Sequence, residues 1–376
     1  NINNFQAALK FADQLASRDF KILDNHKNYL NFANGTVNLE EMTLKEHDPE
    51  DWLTHVLPFN YDPDAKCETL DRSLEEIFFD QPDVPGYLNR FIGYCATGET
   101  REQMMLIAIG KGANGKSLLW STITYCLEPL VGILPMSAFE RKPAGSSTAD
   151  LASLQGKRLC VVQEGESSTA MDEAGIKRVV DEGMMTARHL YQDQMQFPIT
   201  FKIVMASNAR PKIRGQDDGI WRRLKQVNHN RFFSEDERNP YLLYELRDEA
   251  EGILAWIVRG AKEWYDNGLQ EPETITRTSA NYRATSDELA GFIGDVITED
   301  PDAQMDGKDL FDAYYLWTVE ENVKSWQRTT LYNAVVERIP ACQKLRSNRG
   351  IYFKGVRLVT DEDRVVMADP ESGVTK

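Results

Sequence analysis

Residues 104–117, MMLIAIGKGANGKS, set an apolar run of strand length directly against a glycine-rich loop. Gly110 to Ser117 fits GxxxxGK[ST], and Leu118–Leu127 reads as the helix that follows. Glycines at this spacing let backbone N–H groups turn inward around phosphate oxygens. Lys116 is placed to neutralise the β- and γ-phosphates of ATP, and Ser117 to offer its hydroxyl to Mg²⁺. Gly110, Gly112, Ala113, Asn114, Gly115, Lys116, Ser117 and Leu118 are therefore the candidate nucleotide-binding residues.

Outward from this loop the same logic selects partners. A second apolar run, Leu159–Gln163, leads into Glu164-Gly165-Glu166. A carboxylate at a strand end beside such a loop can hold Mg²⁺ and polarise water, which favours Glu164, with Glu166 second. A third run, Ile199–Ala206, ends at Ser207-Asn208. The Asn208 amide could orient a water against the γ-phosphate, although Asn also ends strands for turn chemistry alone. Trp221-Arg222-Arg223 follows. An arginine delivered across a subunit boundary would stabilise a transferring phosphoryl group, but spacing alone equally gives a surface pair. Apolar strands alternating with helical stretches predict an α/β core with a parallel sheet.

Composition bounds the rest. The net charge of −16 by itself argues against a nucleic-acid partner, though a local basic stripe can bind DNA on an acidic chain. The five cysteines are widely spaced without a CxxC pair, which speaks against zinc and disulfides and for a reducing cytoplasm. No apolar run reaches the ~18 residues of a membrane helix, and no secretory signal is evident. The chain opens on Asn1 rather than Met and reads as a piece of a longer protein.

Phe5–Arg18 has the period of an amphipathic helix. Short strand-like runs flank Asn34-Gly35, and Leu70–Phe79 and Val84–Tyr94 read as helices, so residues 1–98 are expected as a mostly helical accessory domain ahead of a core at 99–284. Tyr241–Asn267 reads as one long helical stretch. Beyond residue 285, helices are expected at Leu289–Ile297, Lys308–Val323 and Thr330–Ile339, then a hairpin at Lys344–Val359. That is the order of a winged helix over 285–360, with a tail at 361–376. The hairpin carries Lys344, Arg346, Arg349, Lys354 and Arg357 and no acid, a local charge reversal suited to DNA phosphates.

Taken together, GKGANGKS, LQGKRLCVVQEGE, the IKRVV and TARHLY segments, MASNARPKIRG and DDGIWRRL resemble, in order and spacing, the helicase domain of the phage and plasmid primase family, akin to poxvirus-type helicase-primases. NFANGTVNLEEMTLKEHDPED, FNYDPDA and FIGYCATGET resemble that family's leading segment. The family belongs to superfamily 3, an AAA+ branch. The resemblance implies an AAA+ ATPase core, Walker B acids at Glu164 and Glu166, and a γ-phosphate sensor at Asn208. It implies a finger at Arg222 or Arg223 acting on a neighbour's ATP, with Lys177 as a further basic residue reaching toward a neighbouring nucleotide. Arg188, His189 and Tyr191 would lie in a hairpin, beginning at Arg188, that grips single-stranded DNA in a central channel. Two departures stand out: Asp181-Glu182-Gly183 replaces a frequent Gly-Gly-Asp, and Gln192 stands where a Lys is common. The implied activity is that of an ATP-driven replicative DNA helicase, a hexameric ring moving 3′ to 5′, with a primase-polymerase domain often found upstream in the parent protein. An origin-binding initiator assembled by ATP is the alternative.

Overall fold

The structure, a computed structural model, describes residues 23–140, 148–163, 171–181, 183–188, 193–213, 215, 217–287, 289–321, 325–348, 350–360 and 363. The helix expected at Phe5–Arg18, and the expected tail apart from Asp363, lie outside these. The chain divides into two compact units, Asn1–Ala284 and Thr285–Lys376.

The first unit opens with an antiparallel meander, β1 (Tyr29–Phe32), β2 (Gly35–Asn38) and β3 (Thr43–Lys45). Gly35 turns β1 into β2 at φ +149°, where an added Cβ would lie 2.4 Å from the Lys45 carbonyl oxygen. Helices α1 (Glu68–Ile77) and α2 (Val84–Ala96) follow. Then come β4 (Met105–Ile109), α3 (Lys116–Cys126), β5 (Val131–Pro135), β6 (Leu159–Gln163) and α4 (Glu173–Val180). A small hairpin, β7 (Met184–Ala187) and β8 (Met195–Pro198), precedes β9 (Lys202–Ser207) and β10 (Leu224–Asn228). Helices α5 (Leu242–Asp248), α6 (Ala250–Asn267) and α7 (Glu273–Thr285) complete the run.

Strands β4, β5, β6, β9 and β10 form one parallel sheet in the order β10-β4-β9-β6-β5. Both faces are buried, as parallel sheets require. Leu106, Ala108, Leu159, Val161 and Val204 enter one core; Met105, Ile107, Cys160, Val162 and Met205 enter the other. The strict alternation along each strand divides them.

The segment before residue 99, expected as a separate, mostly helical domain, keeps more helix than strand among its described residues but is not separate. Its described part begins as a sheet, and its residues share a core with β4, β6 and β9. Two glycines make the join possible. An added Cβ at Gly93 on α2 would lie 2.0 Å from the Ala261 nitrogen, and one at Gly260 on α6 2.2 Å from the Asn89 carbonyl oxygen. The two backbones touch where no side chain intervenes. Arg158, buried at the start of β6, donates to the Ala96 and His26 carbonyl oxygens at 2.7 and 3.2 Å. The stretch expected as one helix from Tyr241 to Asn267 breaks at Glu249. There the carboxylate accepts from Thr69 N at 2.9 Å and Leu70 N at 3.3 Å, capping α1 from a distant part of the chain.

In the second unit the first expected helix shrinks to one turn at Phe292–Asp295, and a ten-residue strand follows, β11 (Ile297–Asp306). Helices α8 (Gly307–Glu320) and α9 (Arg328–Arg338) lead to the hairpin β12 (Gln343–Ser347) and β13 (Gly350–Leu358). The sheet order is β11-β13-β12, all antiparallel. The ITEDPDAQMD segment is acidic and looks like a linker in isolation. It becomes a strand by pairing with basic β13, where Asp300 accepts from Arg357 Nε at 2.9 Å.

Candidate functional site

The glycine loop leaves the carboxyl end of β4, between β9 and β10. From β4 the chain departs toward the β5 edge; from β9 it departs toward β10 at the opposite edge. Such a reversal opens a crevice at the strand ends, where open α/β sheets hold ligands.

Gly112, Ala113 and Gly115 have φ of +79°, +46° and +77°. These left-handed turns coil the chain before α3 begins at Lys116. At Gly110 a Cβ would strike the Asn114 amide at 2.2 Å. Asn114 is buried, and its Oδ1 accepts from the Lys116 backbone N–H at 3.2 Å. The Lys116 ammonium, itself buried, donates to the carbonyl oxygens of Gly110 at 3.1 Å and Ser207 at 2.5 Å, and to Asn208 Oδ1 at 3.0 Å. Lys116 thus spans the loop and the tip of β9, bringing together two residues selected independently from sequence. Ser117 and Asn208 are exposed. Leu118 lines a cavity of about 890 Å³ beside the loop, together with Ala113 and Gly115.

His229 was not anticipated. Its backbone N–H donates to Ile109 O at 2.7 Å, continuing the β10–β4 ladder, and its ring lies 5.0 Å from that of Phe78. The Asn114 backbone approaches the ring, yet neither ring nitrogen has a well-formed hydrogen bond. Burial, with the Lys116 charge adding to it, pushes the imidazole down to about 4. His229 is therefore a neutral wedge behind the loop, and only the β10–β4 pairing places it there.

Arg222 and Arg223 precede β10, whose Leu224 is paired with Met105 at the amino end of β4. They lie at the far edge of the sheet, about 13 Å along β4 from the loop at ~3.3 Å per residue. The two differ sharply. Arg223 is buried and bonded to Asp181, and also donates to the Gly219 carbonyl. Arg222 is exposed, with one bond from Nη2 to Gln103 Oε1 at 3.1 Å. Lys177 belongs to the same corner, its ammonium 2.7 Å from Asp217 Oδ1. The Arg223 guanidinium is thus engaged within its own chain, while that of Arg222 is the more accessible of the two.

Glu164 and Glu166 lie outside the described residues; β6 ends at Gln163, immediately before them. The hairpin expected to begin at Arg188 begins instead at Met184, so Arg188 lies in its turn, exposed, with its backbone N–H on Thr148 Oγ1 at 3.0 Å. His189 and Tyr191 fall outside the described residues.

On the hairpin of the second unit, Lys344 is paired with Phe353 and Arg346 with Ile351, so both project from one face. Lys354 is paired with Gln343 and projects from the other. The expected basic strip is therefore split between two faces. Arg357 is engaged by Asp300 and Asp363, and Arg349 lies outside the described residues. Among the described residues no cluster of His, Cys, Asp or Glu could hold a metal ion, and no helix is long and apolar enough to cross a membrane. All five cysteines are buried and free.

Comparison with known proteins agrees with the resemblance read from the motifs. A family described as D5 N terminal like matches residues 1–79, and a family of unknown function, DUF5906, matches residues 108–223. A protein named "Putative helicase" from Acanthamoeba polyphaga mimivirus is 26% identical over 86% of this chain and 36% of its own length. A "Putative primase" of African swine fever virus is 24% identical over 90% of this chain and 38% of its own. A "Putative helicase" of Invertebrate iridescent virus 6 is 23% identical over 78% and 35%. The chain spans little more than a third of the length of these relatives. Among solved structures, the NrS-1 C terminal region aligns with a TM-score of 0.51 at 13% identity, covering 80% of this chain and 79% of that one, a likeness of fold. The chain is thus similar to proteins named as helicases and primases of large DNA viruses.

Proposed function

We propose that this chain is the ATP-hydrolysing motor of a replicative DNA helicase, working as a ring on single-stranded DNA within a larger primase-helicase. The observation that carries this reading is the position of Lys116, whose ammonium joins the glycine loop to Asn208 at the switch point of the sheet. The residues fit ATP and Mg²⁺. A buried ammonium stands among oxygens at the loop, the Ser117 hydroxyl is exposed, and a cavity opens alongside. Mg²⁺ supplies charge neutralisation of the phosphates, with Ser117 and Glu164 as its candidate holders.

In this mechanism Lys116 turns from its carbonyl oxygens to the β- and γ-phosphates, and the loop N–H groups bind their oxygens. Asn208 and Glu164, with Glu166 nearby in sequence, orient and deprotonate water. Arg222 completes the site of the neighbouring subunit, because its own loop lies at the opposite end of β4. Arg188, with His189 and Tyr191 next to it in sequence, is the candidate DNA grip. The second unit, two helices and a three-stranded sheet ending in the β12–β13 hairpin, is read as a winged helix that meets DNA through Lys344, Arg346 and Arg349, with Lys354 on the other face.

The test is unwinding of a forked duplex with a 3′ single-stranded tail, beside particle images taken with a nonhydrolysable ATP analogue and a single strand. ATP-dependent unwinding by ring-shaped particles is expected, lost in Lys116→Ala. ATPase activity indifferent to single-stranded DNA, together with monomeric particles, would overturn the reading.

A further inference from the structure

Arg222 is held by one partner, and that partner sits on a strained backbone. Gln103 Oε1 accepts from Arg222 Nη2 at 3.1 Å, the one hydrogen bond of this guanidinium among the described residues. Gln103 has φ +49°, in the left-handed region that glycine adopts freely and a residue with a Cβ does not. Glycine would make that turn at less cost. What glutamine adds there is the amide oxygen that Arg222 uses.

The backbone on both sides of this bond is anchored. Gln103 N donates to the carbonyl oxygen of buried Thr100 at 3.1 Å. Beside it, Glu102 accepts from Trp264 Nε1 at 2.7 Å, and the Arg101 guanidinium lies 4.1 Å from the Trp264 ring centroid. On the other side, buried Trp221 donates from Nε1 to the Gly215 carbonyl oxygen at 2.8 Å and meets the Tyr282 ring edge-on. Arg223 is fixed by Asp181. Between these anchors the Arg222 side chain is exposed, and without a partner it would spread over many rotamers.

Both anchored turns meet at the start of β4. Met105 N donates to the Arg223 carbonyl oxygen at 2.8 Å, and Gln103 stands just before Met105 in the chain. The far end of the same strand runs into Gly110. One strand therefore carries the glycine loop at its carboxyl end and the partner of Arg222 at its amino end.

We propose that Gln103 is a positioning residue for Arg222: its amide oxygen holds the guanidinium in place for the neighbouring subunit's ATP. This rests on the reading that Arg222 completes the neighbour's site. An arginine that must meet a transferring phosphoryl group gains from being held, since a misplacement of about 1 Å costs up to about a hundredfold in rate.

Steady-state ATP hydrolysis by the whole chain and its variants tests it, beside calorimetric titration with ATP. Gln103→Gly suits the left-handed backbone and deletes only the amide. It lowers kcat about tenfold, while ATP affinity stays within about twofold because its own loop is intact. Gln103→Glu keeps an acceptor oxygen and holds kcat within about twofold of the unmodified chain. Mixing Gln103→Gly with an equal amount of Lys116→Ala raises the rate per Gln103→Gly chain about fivefold, since half of its loops then meet an Arg222 held by an intact Gln103. An unchanged kcat in Gln103→Gly, or a Gln103→Glu chain as slow as Gln103→Gly, overturns the proposal. So does a mixture that shows no rise while Arg222→Ala mixed with Lys116→Ala recovers, and that result leaves the trans role of Arg222 standing. No recovery in either mixture overturns the trans role and this proposal together.

Discussion

Arg223 is tied to Asp181 through two nitrogens, Nε at 2.9 Å and Nη2 at 2.6 Å, while the adjacent Arg222 stands exposed. Adjacent arginines that look equivalent in sequence therefore sit in different surroundings. Arg223→Ala leaves the half-exposed Asp181 carboxylate without its guanidinium donor, and should cost about 1–3 kcal/mol of stability, measurable by denaturant unfolding. Arg222→Ala should leave stability within about 0.5 kcal/mol and abolish ATP hydrolysis. Mixing Arg222→Ala with Lys116→Ala should restore part of the activity, since one good site can form between the two chains. No recovery on mixing would remove the trans-acting role.

Lys116→Met leaves the Gly110 and Ser207 carbonyl oxygens without their ammonium donor. The variant should lose hydrolysis and also the rise in Tm that ATP gives the unmodified chain. At a ligand excess of 100 Kd that rise corresponds to about 2.7 kcal/mol. A Tm that still climbs with ATP in the variant would move phosphate binding elsewhere.

His229 makes stability depend on pH in a defined window. Its folded value is near 4 against an ordinary 6.5. The unfolded chain therefore takes up a proton as pH falls through 6.5, while the folded chain resists until about 4. Its contribution is fully favourable above 6.5 and declines between 6.5 and 4, by up to about 3 kcal/mol. His229→Phe should flatten the unfolding free energy across this window relative to the unmodified chain. An unchanged slope would mean that the ring titrates alike in the folded and unfolded chain.

The split of the hairpin charges is also testable. Lys344→Glu with Arg346→Glu should weaken DNA binding and lower the salt dependence by about two phosphate contacts. Lys354→Glu, on the other face, should do less. Equal effects from both faces would point to wrapping by DNA rather than one-sided docking.

The touching helices give a prediction for the fold. Gly93→Val forces a side chain into the Ala261 backbone and should destabilise the first unit by about 3 kcal/mol or more. A chain beginning at residue 99 should fail to fold cooperatively, because the residues before it supply nearly half of one core. Cooperative unfolding of that truncated chain would restore the separate accessory domain.

The loop, the three apolar strands at 104–109, 159–163 and 199–206, and the polar tip at Asn208 were legible because each is a local pattern: apolar runs of strand length, glycine spacing, one Lys and one Asn. Other features were not legible, because they depend on partners distant in the chain. β11 is acidic and becomes a strand only against basic β13. The break at Glu249 follows a carboxylate that caps a helix about 180 residues earlier. The start of the hairpin at Met184 depends on pairing with Pro198, 14 residues further along the chain.

Order and spacing along one stretch of chain are enough to read the glycine loop, its strand and helix, and the resemblance these motifs carry. Tertiary structure alone decided which residues meet. It set Lys116 against Asn208, wedged His229 behind Asn114, buried Arg223 and left Arg222 exposed, and made α1 a wall beside the loop. Those relations arise from strand order, from close backbone contacts at Gly93 and Gly260, and from the Ile77 side chain against Gly115. No local pattern encodes them, because each is a contact between elements that the chain brings together only by folding.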